Sequence, residues 1–208
     1  MIMGVLLLAL ASGCTDSTGG TATPGDTTET NEAPPNSSDA PSESGDADPT
    51  VEIPPRPADL PLDGVKPCTL FTQAQLTQLG ITDPPSPKTA EGEFAGPACD
   101  LDIATVETFY GYEVVAITDE GIGPWLTGKR NVEARLAEVA GYPAATYWFR
   151  GAGGSKTVDC ATSVDVADGQ QLMVTADNDS DHKFTLDQLC QMAETAAGMA
   201  IQTLQTLR

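Results

Sequence analysis

The sequence predicts an α+β fold: an antiparallel sheet flanked by a short N-terminal helix and a long C-terminal helix. Two observations carry this. Helix-start signals stand at both ends of the globular part, Thr72 with Gln75 and Thr185 with Gln188, at the spacing that lets side chain and backbone cap each other reciprocally. Between them the apolar residues recur with the period of strands, punctuated by Gly- and Asp-containing turns. Helices at the two ends and strands in the middle make an α+β layout.

Taken in order, Cys68-Thr69-Leu70-Phe71 leads into the first cap. Leu76 and Leu79 then continue an apolar face, and Gly80 is a natural stop, so a short helix is expected. Residues 83–87 hold Pro84, Pro85 and Pro87 and are expected to break structure. Strands are expected at 99–103, 112–118, 132–139, 144–149, 157–166 and 171–176. Gly141-Tyr142-Pro143 reads as a turn, 151–155 as a Gly-rich loop and Asp168-Gly169 as a hairpin. After Thr185, the residues Leu186, Leu189, Cys190, Ala193, Ala197, Ile201 and Leu204 recur at helical spacing.

The chain ahead of this part reads as an export signal and a spacer. Residues 2–11 are apolar but for Gly4, and this run is too short to span a bilayer, which takes about 20 residues. It fits the apolar region of a secretory signal. Leu10-Ala11-Ser12-Gly13-Cys14 then fits the cleavage and lipidation site of a bacterial lipoprotein, with Cys14 as the acylated residue. Met1 to Gly4 carry no Lys or Arg, which leaves open a start upstream of Met1. Residues 15–59 are rich in Thr, Ser, Pro, Gly, Asp and Glu, with no Lys or Arg before Arg56. Such a stretch cannot bury enough apolar surface to offset its ordering entropy, so it is expected to be a disordered acidic stalk. An unmodified spacer is expected there, with O-linked sugars on its Thr and Ser as the alternative. The expected organisation is therefore 1–13 signal peptide, 14–59 lipidated stalk and 60–208 globular domain.

Composition narrows the partners. Thirty Asp and Glu against ten Lys and Arg give a net charge of −20. That excludes nucleic acid as a partner and favours cationic ligands or surfaces. Four cysteines, Cys68, Cys99, Cys160 and Cys190, lie in the globular part. In an exported protein such a set reads as two disulfides, for which three connectivities exist.

Pro67-Cys68-Thr69-Leu70, Cys99 opening the first strand, Ala140-Gly141-Tyr142-Pro143-Ala144, Cys160 in a later strand and Cys190 in the last helix occur in a distinctive order. With the lipidation site and the polar stalk, they resemble the actinobacterial lipoprotein family called domain of unknown function 3558. The resemblance covers essentially the whole chain. It implies no agreed activity, and it implies a fold similar to the photosystem assembly protein PsbP. Cys68–Cys99 and Cys160–Cys190 are the expected pairs, each closing a loop of about 30 residues, and the crossed pairings stay open.

Several motifs invite a sharper function. Arg150-Gly151-Ala152-Gly153-Gly154-Ser155-Lys156-Thr157 approaches a phosphate-binding loop, but Arg150 and Ser155 stand where glycines belong and two strands flank it. A flexible hairpin loop is expected instead. Asp177-Asn178-Asp179-Ser180-Asp181-His182 starts like a calcium loop, with Asp177, Asp179 and Asp181 as the oxygen donors. His182 replaces its glycine and Gln188 its final Glu, so a solvated acidic turn is expected and no metal or cofactor is assigned. His182 is the sole histidine, which leaves no Ser-His triad and no zinc ligand set. Asp119-Glu120 and Glu91 with Glu93 are expected to be solvated faces. Tyr147 and Phe149 fall on one strand face and Trp148 on the other, and core packing is expected; an exposed Trp148 beside the glycine loop would instead mark a ligand or partner surface.

The expected function is that of a lipoprotein held on the extracytoplasmic face of the cell membrane by its lipid anchor. Its domain is expected to bind an envelope protein or small ligand without catalysis. The alternatives are an envelope hydrolase using carboxylates and an accessory or sensor domain of an envelope system. A large, closed apolar cavity would favour lipid or small-molecule carriage, and its absence would point to protein contacts.

Overall fold

The structure, a computed structural model, describes residues 51–104, 109–151, 159–178 and 184–208. Strands β1 (Ser86–Ala90), β2 (Gly96–Ala104), β3 (Phe109–Ile117), β4 (Val132–Val139), β5 (Tyr142–Phe149), β6 (Asp159–Ala167) and β7 (Gln170–Asn178) form one sheet. Its order is β1-β2-β3-β7-β6-β5-β4, and every neighbouring pair is antiparallel. The helices are α1 (Gln73–Leu79), α2 (Gly123–Leu126) and α3 (Leu186–Leu207), with short 3₁₀ turns at Pro67–Thr69 and Gly92–Phe94. The fold class is thus α+β, as the sequence predicts.

Both expected capping boxes form. Thr72 accepts from the Gln75 backbone and Gln75 reaches back to the Thr72 N–H; Thr185 and Gln188 do the same at the start of α3. Gly80 ends α1 in the left-handed region at φ 76°, where a side chain would be strained. α3 lies on one face of the sheet. Its buried stripe is rich in alanine (Ala193, Ala196, Ala197, Ala200), with Leu189, Ile201 and Leu204 among them. The same core takes in Leu101, Val114, Val164, Leu172 and Val174 of the central strands. A polar lock crosses the same layer: Glu194 of α3 accepts from the fully buried Thr146 at 2.7 Å and from Arg135 at 2.6 Å.

The opposite face carries a second, smaller core around Val115, Ile117, Trp125, Ala145, Tyr147 and Met173. Topology explains it. β3 lies in the middle of the sheet and β4 at the far edge, so the chain between them has to travel past β7, β6 and β5. That connection bears α2 and lays Trp125 on this face.

Two expectations change. Residues 83–87 do not simply break structure: Ser86–Ala90 is an edge strand, and Pro87 stands opposite Cys99 within it. An edge strand needs only one row of N–H donors, so proline is tolerated there. Cys99 therefore lies inside the second strand, β2, and does not open the first. Likewise the turn before β5 is Ala140-Gly141 alone, at φ 51° and 84°, with Tyr142 and Pro143 already paired to Val139 and Glu138. Two successive positive φ values make the tight turn whose twist suits a two-residue hairpin. By contrast Asp168-Gly169 forms the expected hairpin between β6 and β7.

Contacts with the fold begin ahead of Leu60. Ile53 packs on the second core, and Arg56 holds Asp165 at 2.8 Å, Asp168 at 2.5 Å and Asp59 at 3.0 Å. Leu60 then donates its N–H to Val166.

Candidate functional site

The second face contains a cavity of about 450 Å³, bordered mainly by carbon. That lies within the range of sites that hold small molecules, about 300–1,000 Å³. Its floor comes from strand alternation. Tyr147 of β5, Ala161 of β6 and Met173 of β7 lie on adjacent strands and face the same side. Its wall comes from the two connections: Phe94 from the 3₁₀ turn before β2, and Trp125 from α2.

Aromatic packing sets the shape. The Trp125 and Tyr147 rings stack with centroids 3.7 Å apart, and Phe94 tilts against Trp125 at 5.0 Å. Gln171, fully buried, holds the indole: its Oε1 accepts from Trp125 Nε1 at 2.7 Å while its Nε2 donates to the Glu120 and Gly121 carbonyls. One glutamine thereby ties the crossing connection to the sheet. The Tyr147 hydroxyl contacts Ser163 at 3.3 Å and Met173 Sδ at 3.0 Å, and burial pushes its pKa up.

Three charged residues border the cavity: Glu93, Arg130 and Asp159. The Arg130 guanidinium lies over Trp125 at 4.0 Å and Phe94 at 4.8 Å, a pair of cation–π contacts. Its Nη2 reaches Glu93 at 3.0 Å and Glu120 at 2.8 Å, and its Nη1 is buried without a hydrogen-bond partner. Glu93 and Glu120 come from the two carboxylate pairs visible in the sequence; the fold splits both pairs and brings one member of each to the same arginine. Asp159, at the start of β6, stands opposite Asp177 of β7, and burial pushes its carboxyl up.

The other sequence-derived candidates fall as follows. Cys68–Cys99 and Cys160–Cys190 are disulfides, with S–S distances of 2.01 and 2.10 Å. The first joins the 3₁₀ turn Pro67–Thr69 to β2, and the second joins β6 to α3. Arg150 is committed to backbone, donating to the Val132 and Gly128 carbonyls, and the rest of the phosphate-loop candidate from Ala152 to Thr157 lies outside the described residues. Asp177 is the next-to-last residue of β7, whereas Asp179, Asp181 and His182 lie outside the described residues, as does Cys14. Among the described residues no cluster of three or more His, Cys, Asp or Glu is placed to hold a metal ion. Trp148 is half-buried, packs toward the α3 side and also borders the cavity. Phe149, next to it, is the more exposed residue at 59 %. No local motif in the sequence marks Phe94, Arg130, Gln171 or Met173, because their roles depend on which strands become neighbours.

A family model described as protein of unknown function (DUF3558) matches residues 9–203. The chain belongs to this family. The match runs from the apolar N-terminal segment through nearly all of α3, so it takes in every element of the cavity. No curated protein and no solved structure matches the chain. No helix among the described residues is long and apolar enough to cross a membrane.

Proposed function

We propose that this family member is a lipid-anchored lipoprotein of the cell envelope whose domain binds a small, largely apolar ligand in the Trp125–Tyr147 cavity, without catalysis. The single observation behind the ligand reading is the cavity itself. It is large enough for a small molecule, bordered mainly by carbon, and walled by aromatic rings held in place by Gln171. Preformed apolar pockets with a few fixed polar groups are the usual small-molecule sites. The anchor reading rests on the apolar run and small residues leading to Cys14, and the polar residues that follow are suited to hold the domain away from the headgroups.

A fluorescent neutral apolar probe, phenylnaphthylamine, tests the cavity. It is expected to bind the domain at one site, and Ala161→Trp, which places a bulky ring in the cavity floor, is expected to abolish binding while the protein still melts cooperatively. Binding that survives the filled cavity would refute the site. For the anchor, Cys14→Ala should move the protein from the membrane fraction to the soluble one; retention on the membrane would refute it.

A further inference from the structure

We infer that the ligand is a hydrophobic cation, an apolar body bearing an amine or quaternary ammonium group, with Asp159 as its counter-charge. This rests on the cavity reading above and concerns which molecule the cavity selects.

Of the three charged residues at the border of the cavity, Glu93 and Arg130 satisfy each other, and Glu120 adds a second carboxylate to the same guanidinium nitrogen. Trp125 and Phe94 both lie against that guanidinium, at 4.0 and 4.8 Å. The charge of Arg130 is therefore already over-compensated at Nη2, and only its buried Nη1 lacks a hydrogen-bond partner. Asp159 differs: among the described residues it has no ion-pair or hydrogen-bond partner, yet it borders the cavity and lies close enough to act electrostatically on the buried Tyr147 hydroxyl. Its neighbour across the β6–β7 ladder is another carboxylate, Asp177. A partly buried carboxylate is unfavourable in its charged form unless a positive charge arrives.

An incoming anion would meet Glu93 and Asp159 at the cavity border, in a chain that already carries −20. An incoming cation would be drawn by the same field and would find one carboxylate without a partner among the described residues. The aromatic wall suits the rest of such a molecule, since ring faces attract cationic and apolar groups alike. Arg130 stays in place because its two carboxylates come from the protein.

A matched series of phenylbutylamine, phenylbutanol and phenylbutyrate separates the alternatives, titrated by calorimetry into the full chain in its Cys14→Ala form. The amine should bind at least about tenfold more tightly than the alcohol, and the acid more weakly than both. Asp159→Asn should remove the advantage of the amine and leave the alcohol unchanged; the unchanged alcohol shows that the variant is folded. Equal binding of all three would overturn the cation inference and leave the cavity reading standing. Tightest binding of the acid, lost in Arg130→Met, would overturn it in favour of an anion taken by Arg130. No binding of any member would overturn both readings.

Discussion

Trp125 lies flat on Tyr147, with ring planes 14° from parallel and centroids 3.7 Å apart, although the two residues belong to different segments and only Tyr147 is part of the sheet. Gln171 keeps the pair together. Its side chain accepts from the indole and donates to two carbonyls of the same connection.

Gln171→Leu should therefore destabilise the fold by roughly 2–4 kcal/mol, since it leaves one buried N–H and two carbonyls without their partner at about 1 kcal/mol or more each. Denaturant unfolding measures this, and Trp125 emission should shift as the indole loosens. A loss under about 0.5 kcal/mol would mean that water replaces the amide freely.

Alkaline pH should unfold the protein. Burial, aided by Tyr110, pushes Tyr112 up to about 12, and burial raises Tyr147 further. Burial works against the Lys88 ammonium, but its hydrogen bonds to Asp100 and Glu113 outweigh that and raise its pKa. All three folded values lie above the unfolded ones. The stability they provide is complete below about pH 10 and is lost as pH rises through the folded values, with Tyr112 alone contributing up to roughly 2–3 kcal/mol. The Tm should be level from about pH 8 to 9 and fall beyond about pH 10, less steeply in Tyr112→Phe. A Tm unchanged to about pH 12 would contradict this.

The Cys160–Cys190 bridge ties β6 to α3 across a separation of 30 residues. In the chain-entropy account, closing such a loop stabilises by about 3–4 kcal/mol. The double variant Cys160→Ala with Cys190→Ala should lose that much in denaturant unfolding, with the far-UV spectrum retained at low temperature. A smaller loss would show that the unfolded chain is already compact between these positions.

Ala140 occupies the left-handed region at φ 51° on an exposed hairpin tip, a conformation that suits Asn better than Ala. Ala140→Asn should raise stability by about 0.5–1 kcal/mol, visible as a higher Tm. No gain would indicate that the Ala side chain makes contacts at the tip that Asn gives up.

Much of the fold was legible in the chain because it is written locally. The capping boxes at Thr72 and Thr185, the left-handed stop at Gly80 and the Asp168-Gly169 hairpin each depend on residues within a few positions of one another, and backbone chemistry alone decides them. Alternation also placed Tyr147 and Trp148 on opposite sides of β5. Where local signals misled, a tertiary fact intervened: Pro87 enters a strand because that strand is at an edge, and Tyr142 and Pro143 are drawn into β5 by pairing with β4.

The cavity belongs to the other category. Phe94, Trp125, Arg130, Tyr147, Asp159 and Met173 come from separate elements or connections, and none is adjacent to another in sequence. They meet because β3 is central and β4 lies at the far edge, which sends the connection bearing Trp125 across one face. Sequence by itself determined the fold class, the caps and the supply of cysteines, aromatics and negative charge. Only the tertiary structure decided which carboxylates share Arg130, which tyrosine Trp125 covers and that Asp159 borders the cavity, because strand order, not spacing along the chain, sets those distances.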